Sequence, residues 1–199
     1  MKERMIVATG NAGKMDEIRE ILAGLDLEIL SMKEAGVEDE VEETGTTFEE
    51  NALLKAKGIA AKTDSIVLAD DSGLVVDALN GEPGIYSSRY LGKDVSYDVK
   101  NKTILDRMEG VPEEERSARF VCAIAAVLPD GREFVVRGEM EGRIGYEIAG
   151  VNGFGYDPIF YLPEYGMTSA EITPEEKNKI SHRGKALEKM FETLKNARK

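Results

Sequence analysis

The chain has 199 residues, 42% of them hydrophobic and 32% charged, which is apolar material enough for one large domain or two small lobes sharing a core. Its 26 Lys and Arg stand against 38 Asp and Glu, a net charge of −12. Such a composition excludes a disordered, collagenous or disulfide-stapled chain, and it argues against a nucleic-acid polymer or an anionic membrane as partner. A small anionic ligand fits only where a few basic side chains converge locally against the global field.

Met5-Ile6-Val7-Ala8 reads as a buried strand, broken by Thr9-Gly10-Asn11-Ala12-Gly13, after which Met15, Ile18, Ile21 and Leu22 recur at helical spacing. Leu27 to Leu30 forms a second short strand. The acidic stretch from Glu34 to Glu43 has few apolar positions and reads as an exposed connection. Thr47-Phe48-Glu49-Glu50 has the form of a capping box, and Leu53, Ala56, Ile59 and Ala60 supply the apolar face of a helix running to about Lys62. Ile66-Val67-Leu68-Ala69 is a buried strand expected to end at Asp70-Asp71-Ser72-Gly73, with Leu74-Val75-Val76 resuming apolar character before a turn at Asn80 to Gly84.

Tyr97, Asn101, Ile104, Leu105 and Met108 mark another helix, closed by Gly110. Ser117 to Leu128 pairs with Arg132 to Gly138 across Pro129-Asp130-Gly131 as an antiparallel hairpin. Gly150 to Pro158 is a loop of glycines and aromatics, and Thr173-Pro174-Glu175-Glu176 carries the N-cap, Pro and acid of a helix start. A last helix begins near Ser181-His182-Arg183, with Leu187, Met190, Phe191 and Leu194 facing the core. Helices alternate with strands and a hairpin follows, so the class is mixed α/β, without repeat or linker.

Cys122 is the only cysteine and lies within the apolar run Phe120 to Leu128, so it reads as a small core residue and no internal disulfide can form. That run is far shorter than the ~18 residues a membrane helix needs, and the N-terminus enters a strand without a signal-peptide core. A reducing cytoplasm is the expected location.

Four features bear on chemistry. The loop Thr9 to Lys14 joins a strand to a helix start, where backbone N–H groups and the Lys14 ammonium suit a phosphate; an ordinary turn has the same form. It lacks the GxxxxGK[ST] spacing, with Met15 where Ser or Thr would stand. Asp70-Asp71 places two carboxylates side by side, a pattern that suits a turn or a hard cation such as magnesium, with Glu42 or Glu43 as a further oxygen ligand. One histidine and one buried cysteine disfavour zinc. His182 and Arg183 gather several donors at a helix start, either as capping neighbours or as ligand contacts. Glycines at 153 and 155 let a flat ligand approach Phe154 and Tyr156, which otherwise read as core aromatics.

Taken together, Thr9-Gly10-Asn11-Ala12-Gly13-Lys14, Glu42-Glu43-Thr44-Gly45, Phe48-Glu49-Glu50-Asn51-Ala52, Ala69-Asp70-Asp71-Ser72-Gly73-Leu74, Pro83-Gly84-Ile85-Tyr86-Ser87-Ser88-Arg89-Tyr90, Gly153-Phe154-Gly155-Tyr156-Asp157-Pro158 and Ser181-His182-Arg183-Gly184 resemble the inosine triphosphate pyrophosphatase family. The resemblance runs from residue 5 to about residue 190. It implies a single domain over residues 1–199, built as a long mixed β-sheet with two α/β lobes flanking a central nucleotide-binding cleft. It further implies a cytoplasmic homodimer that uses magnesium to hydrolyse noncanonical purine triphosphates (ITP, dITP and XTP) to the monophosphate and pyrophosphate, cleansing the nucleotide pool.

By motif position, the resemblance gives the triphosphate to Thr9, Gly10, Asn11, Ala12, Gly13 and Lys14, with Lys55 as a further phosphate lysine. Glu42 and Asp71 would hold magnesium, Asp71 would activate water, and Ser72 would contact substrate. Phe154, Gly155, Tyr156, Asp157, Lys177, His182 and Arg183 would bind the nucleotide, mainly its base. Hydrolysis at the α-phosphorus needs charge neutralisation, an oriented water and a base, and the residue types agree with that need. Whether Asp70 or Asp71 touches the water stays open at the level of sequence.

Overall fold

In the computed structural model, which describes residues 2–38 and 40–199, position 39 of the acidic connection lies outside the described residues. The strands are β1 (Arg4–Val7), β2 (Glu28–Ser31), β3 (Ile66–Val76), β4 (Ser117–Val127), β5 (Glu133–Ile144), β6 (Phe160–Leu162) and β7 (Met167–Thr168). They follow the order β2-β1-β3-β4-β5-β6-β7 in one sheet. β1 pairs in parallel with β2 (Met5 opposite Ile29) and with β3 (Met5 opposite Ile66), whereas β6 pairs antiparallel with β5 and β7. The sheet is therefore mixed and the fold α/β. Among the described residues, no helix is long and apolar enough to cross a membrane.

The chain divides into two compact units, one of residues 1–71, 122–138 and 182–199, the other of residues 72–121 and 139–181. In the first, the Thr9 hydroxyl accepts the Asn11 N–H and the Asn11 side-chain Oδ1 accepts the Lys14 N–H, each at 3.2 Å. These two bonds satisfy orphan donors and turn the chain from β1 into α1 (Ala12–Leu22). α1 packs against α5 (His182–Ala197), and Ile18, Leu22, Leu187, Met190 and Leu194 close over Met5, Val7, Leu68, Cys122 and Ile124. Ile18 and Leu187 are fully buried, so truncating either to Ala should cost about 2–5 kcal/mol. Gly138 lets α5 begin where it does: a Cβ there would stand 2.2 Å from the His182 carbonyl oxygen.

α2 (Phe48–Ala60) starts at Thr47, whose hydroxyl accepts the Glu50 N–H at 3.1 Å. The Glu50 carboxylate accepts the Thr46 N–H at 2.6 Å, so the expected reciprocal cap reaches one residue further back. The larger departure is at β3, which does not end at Asp70-Asp71 but runs unbroken to Val76. An extended backbone sends neighbouring side chains to opposite faces. The two carboxylates thus need share no cation, and the strand continues through them.

The second unit centres on Leu74, Val76, Ile104, Met108, Met140, Ile144 and Phe160, with the Phe120 and Phe160 rings 4.4 Å apart. α3 (Tyr97–Arg107) begins at Ser96, and α4 (Pro174–Ile180) begins at Thr173 with the full capping box. Arg116, 2% exposed, donates to the carbonyl oxygens of Ile144, Met108, Val111 and Gly145, tying the end of β5 to the connection after α3.

Candidate active site

In the first unit, β3 places Asp70 and Asp71 in contrasting surroundings. Asp70 is 2% exposed, and its Oδ2 lies 2.8 Å from Lys14 Nζ and 3.8 Å from Arg183 Nε. Burial opposes its charge, yet Lys14, Arg183 and Lys55 outweigh burial and hold the carboxyl well below the usual range. Asp71 is buried with only Lys55 of these cations acting on it. Burial and the neighbouring Glu43 push it up to about 6, against the pull of Lys55 and Asn51, and its Oδ2 is buried with no hydrogen-bond partner.

Lys55, from the middle of α2, reaches the β3 backbone and Glu43: its Nζ donates to the Asp70 carbonyl oxygen at 3.0 Å and pairs with Glu43 Oε1 at 2.5 Å. Burial works against the Lys55 charge, but Asp70, Glu43 and Asp71 together raise its pKa. Glu42 is exposed, so it is Glu43 that the structure sets beside Lys55 and Asp71. Asn51 orders the approach of this segment, accepting the Gly45 N–H at 2.8 Å. Gly10, Asn11, Ala12 and Gly13 are exposed at the start of α1, with Thr9 and Lys14 partly buried beside them. Their free face suits an anion.

His182 and Arg183, in the first turn of α5, are 6% and 3% exposed. Arg183 Nη1 pairs with Glu17 Oε2 at 2.9 Å, so the guanidinium is fixed between α1 and β3. Burial lowers and Asp70 raises its pKa, and the net direction is upward. Lys14, Glu17, Glu43, Asn51, Lys55, Asp70, Asp71 and Arg183 thus form one charged cluster within the first unit. Sequence reasoning passed over Glu17 and Asn51, although Glu17 stands one helical turn after Lys14 and shares its face.

Ser72, the next residue on β3, opens the second unit and is partly buried. There Phe154 and Lys177, two of the expected base residues, meet one carboxylate, whereas His182 and Arg183 belong to the first unit. Asp157, 2% exposed, accepts from Lys177 Nζ at 2.5 Å, the Phe154 N–H at 3.0 Å and the Ser169 hydroxyl at 2.7 Å. Gly153 has φ 71° and approaches so closely that a Cβ would lie 2.2 Å from Asp157 Oδ2. Phe154 is 40% exposed, with Lys177 Nζ 5.3 Å from its ring centre, whereas Tyr156 is 4% exposed and donates its hydroxyl to the Ser87 carbonyl oxygen at 2.6 Å. The two aromatics divide the alternatives between them: Tyr156 is a core residue and Phe154 presents a face.

The donor set fits a hard divalent cation. Among the described residues no group of three or more His, Cys, Asp and Glu side chains is gathered to hold a metal. Magnesium does not require three, since it keeps waters and takes substrate phosphates alongside one or two carboxylates. The buried, unpaired Asp71 Oδ2 next to the like charge of Glu43 is the observation that meets this requirement.

Residues 5–193 match the model of the Ham1 family. A curated protein of Exiguobacterium sibiricum named dITP/XTP pyrophosphatase is 50% identical over 191 residues, 96% of each chain. One of Clostridium perfringens with the same name is 48% identical over 199 residues, covering 97% of this chain and 98% of its own. The solved structure of the Staphylococcus aureus Ham1 protein superposes with a TM-score of 0.90 at 40% identity, covering 98% of this chain and 100% of that one.

Proposed function

The chain belongs to the Ham1 family and is a nucleoside triphosphate pyrophosphatase, and from that premise we propose that it hydrolyses dITP, XTP and ITP to the monophosphate and pyrophosphate with magnesium. The observation that carries the reading is Asp71: a buried carboxylate pushed up to about 6, with one oxygen unpaired and the Lys55 ammonium as its neighbouring cation. A buried carboxylate with an unpaired oxygen is placed to take a proton from water. The water attacks the α-phosphorus, its proton passes to Asp71, and the bond from that phosphorus to the bridging oxygen breaks to release pyrophosphate.

Lys14, Lys55 and the N–H groups at the start of α1 neutralise the phosphates. Asp71 with Glu42, or with Glu43 beside it, would hold magnesium, which when bound neutralises further phosphate charge. Glu42, the position given by the family resemblance, is the exposed neighbour in this pair. Phe154 stacks on the base, and the buried donors of His182 and Arg183 read the 6-oxo group, which adenine replaces with another donor. Ser72 contacts the substrate beside Asp71. The same reading makes the protein a cytoplasmic homodimer that clears noncanonical purines from the nucleotide pool.

Pyrophosphate release from ITP, dITP, XTP, ATP, GTP and UTP, each with magnesium and with EDTA, tests it. The expected result is release from the first three with magnesium and none with EDTA. A preference for ATP, GTP or UTP sinks the substrate assignment, and tight binding without release means a nucleotide sensor.

A further inference from the structure

We propose that Asn101, together with Tyr97 one helical turn before it on α3, is a positioning residue for the nucleotide: it fixes the Gly155 carbonyl and with it the turn that presents Phe154. This rests on Phe154 being the platform for the base, as argued above.

The turn from Gly150 to Asp157 is tied at its start to Ala170 and Ile172 through Val151 and Asn152, and its later part, around Phe154, is held by fewer bonds. Gly150, Gly153 and Gly155 have φ of 90°, 71° and 68°, and glycines carry the greatest backbone freedom. Asp157 secures one side of the turn through the Phe154 N–H. The other side is secured from α3. Asn101 Nδ2 donates to the Gly155 carbonyl oxygen at 3.0 Å, and the Tyr97 ring meets the Tyr156 ring edge-on, 5.3 Å between centres at 90°. Phe154 therefore projects from a backbone clamped on both sides, with its own ring 40% exposed.

Asn101 is not explained by packing. It is 2% exposed, its Oδ1 is buried with no hydrogen-bond partner, and the bond to Gly155 is what its amide makes. Burying half an amide unpaired is unfavourable, and an apolar side chain would avoid that penalty. What an apolar side chain cannot supply is a donor to the Gly155 carbonyl. Lys100 beside it extends the clamp, donating to the Ser88 carbonyl oxygen at 2.7 Å with its Nζ 4.7 Å from the Tyr97 ring centre.

A loosened turn spreads over many conformations, and substrate binds only the fraction that presents Phe154 correctly, so apparent affinity falls by that fraction while chemistry on bound substrate is unchanged. The experiment measures KM and kcat for dITP with magnesium in wild type, Asn101→Ala, Tyr97→Ala, Phe154→Ala and the Asn101→Ala/Phe154→Ala double variant. Asn101→Ala should raise KM about tenfold, the scale of one lost hydrogen bond, with kcat within about twofold. In the Phe154→Ala background the same change should raise KM less than about threefold, because the residue it positions is gone. Tyr97 is 38% exposed, so Tyr97→Ala leaves the fold intact should Asn101→Ala not fold, and it should raise KM about threefold at constant kcat.

An unchanged KM in folded Asn101→Ala, or in Tyr97→Ala if the former does not fold, overturns the proposal alone, provided Phe154→Ala raises KM. An increase that is undiminished in the double variant also overturns it, since Asn101 would then act independently of Phe154. If Phe154→Ala leaves KM unchanged, the base-platform reading fails and this proposal falls with it.

Discussion

Asp71→Asn separates what one carboxylate does for chemistry from what it costs the fold. The side chain keeps its shape and loses its charge. In the native protein without metal, burial and Glu43 raise Asp71 from 3.8 to about 6, so the folded state binds the proton more tightly than the unfolded chain. The sign follows: this group's penalty is absent below about pH 4, grows as pH rises from about 4 to about 6, and is fully present above. At 1.36 kcal/mol for each tenfold change in proton affinity, the penalty reaches about 3 kcal/mol. Urea denaturation in EDTA should therefore find Asp71→Asn more stable than wild type by up to about 3 kcal/mol at pH 8, with the gap closing by pH 4. Pyrophosphate release with magnesium should meanwhile fall by about 10²- to 10⁴-fold, the usual contribution of a general base. Equal or lower stability of the variant at pH 8 would refute the electrostatic argument, and a loss of turnover below about tenfold would remove Asp71 as the proton acceptor.

Three other outcomes are expected. Lys14→Ala should raise KM for triphosphates by about tenfold or more, and an unchanged KM would leave Lys14 as nothing more than the partner of Asp70, 2.8 Å away. Lys177→Met strands the buried Asp157 carboxylate and should lower the stability measured in urea by about 3–5 kcal/mol at neutral pH; a loss under about 1 kcal/mol would show that Ser169 and the Phe154 N–H suffice. Arg183→Ala should narrow the ratio of kcat/KM for ITP over ATP while Phe154→Ala lowers both alike, and equal ratios in wild type and Arg183→Ala would remove Arg183 from base reading.

Local chemistry made part of this fold legible in advance. Thr173-Pro174-Glu175-Glu176 specifies a helix start through atoms within four residues of one another, and the capping box is there. Asp70-Asp71 misled for the opposite reason. Read locally, two adjacent acids look like the end of a strand, but the cations that allow Asp70 to be buried come from Lys14, 56 residues away, and from Arg183 on the last helix. Glu42 and Glu43 are indistinguishable by composition, and only the path of the chain into α2 decides which of them meets Lys55. Asn101 looked like one more position on a helical face because its partner, the Gly155 carbonyl, is backbone and leaves no mark in the side-chain pattern. Tyr156 and Phe154 have the same aromatic character in sequence. The positive φ of the glycines between and before them sends one ring inward and leaves the other out.

The single thiol at Cys122, fully buried in the core of the first unit, makes that unit its own clock. A thiol-alkylating reagent reaches the sulfur only when β4 opens, and with one cysteine in the chain each molecule is marked once, as a single step in mass. At low reagent concentration the rate of marking measures how often the strand is open, and at high concentration it measures how fast the strand opens. Marking that follows the urea stability of the protein means that β4 opens only when the first unit unfolds, whereas faster marking means that the strand breathes by itself.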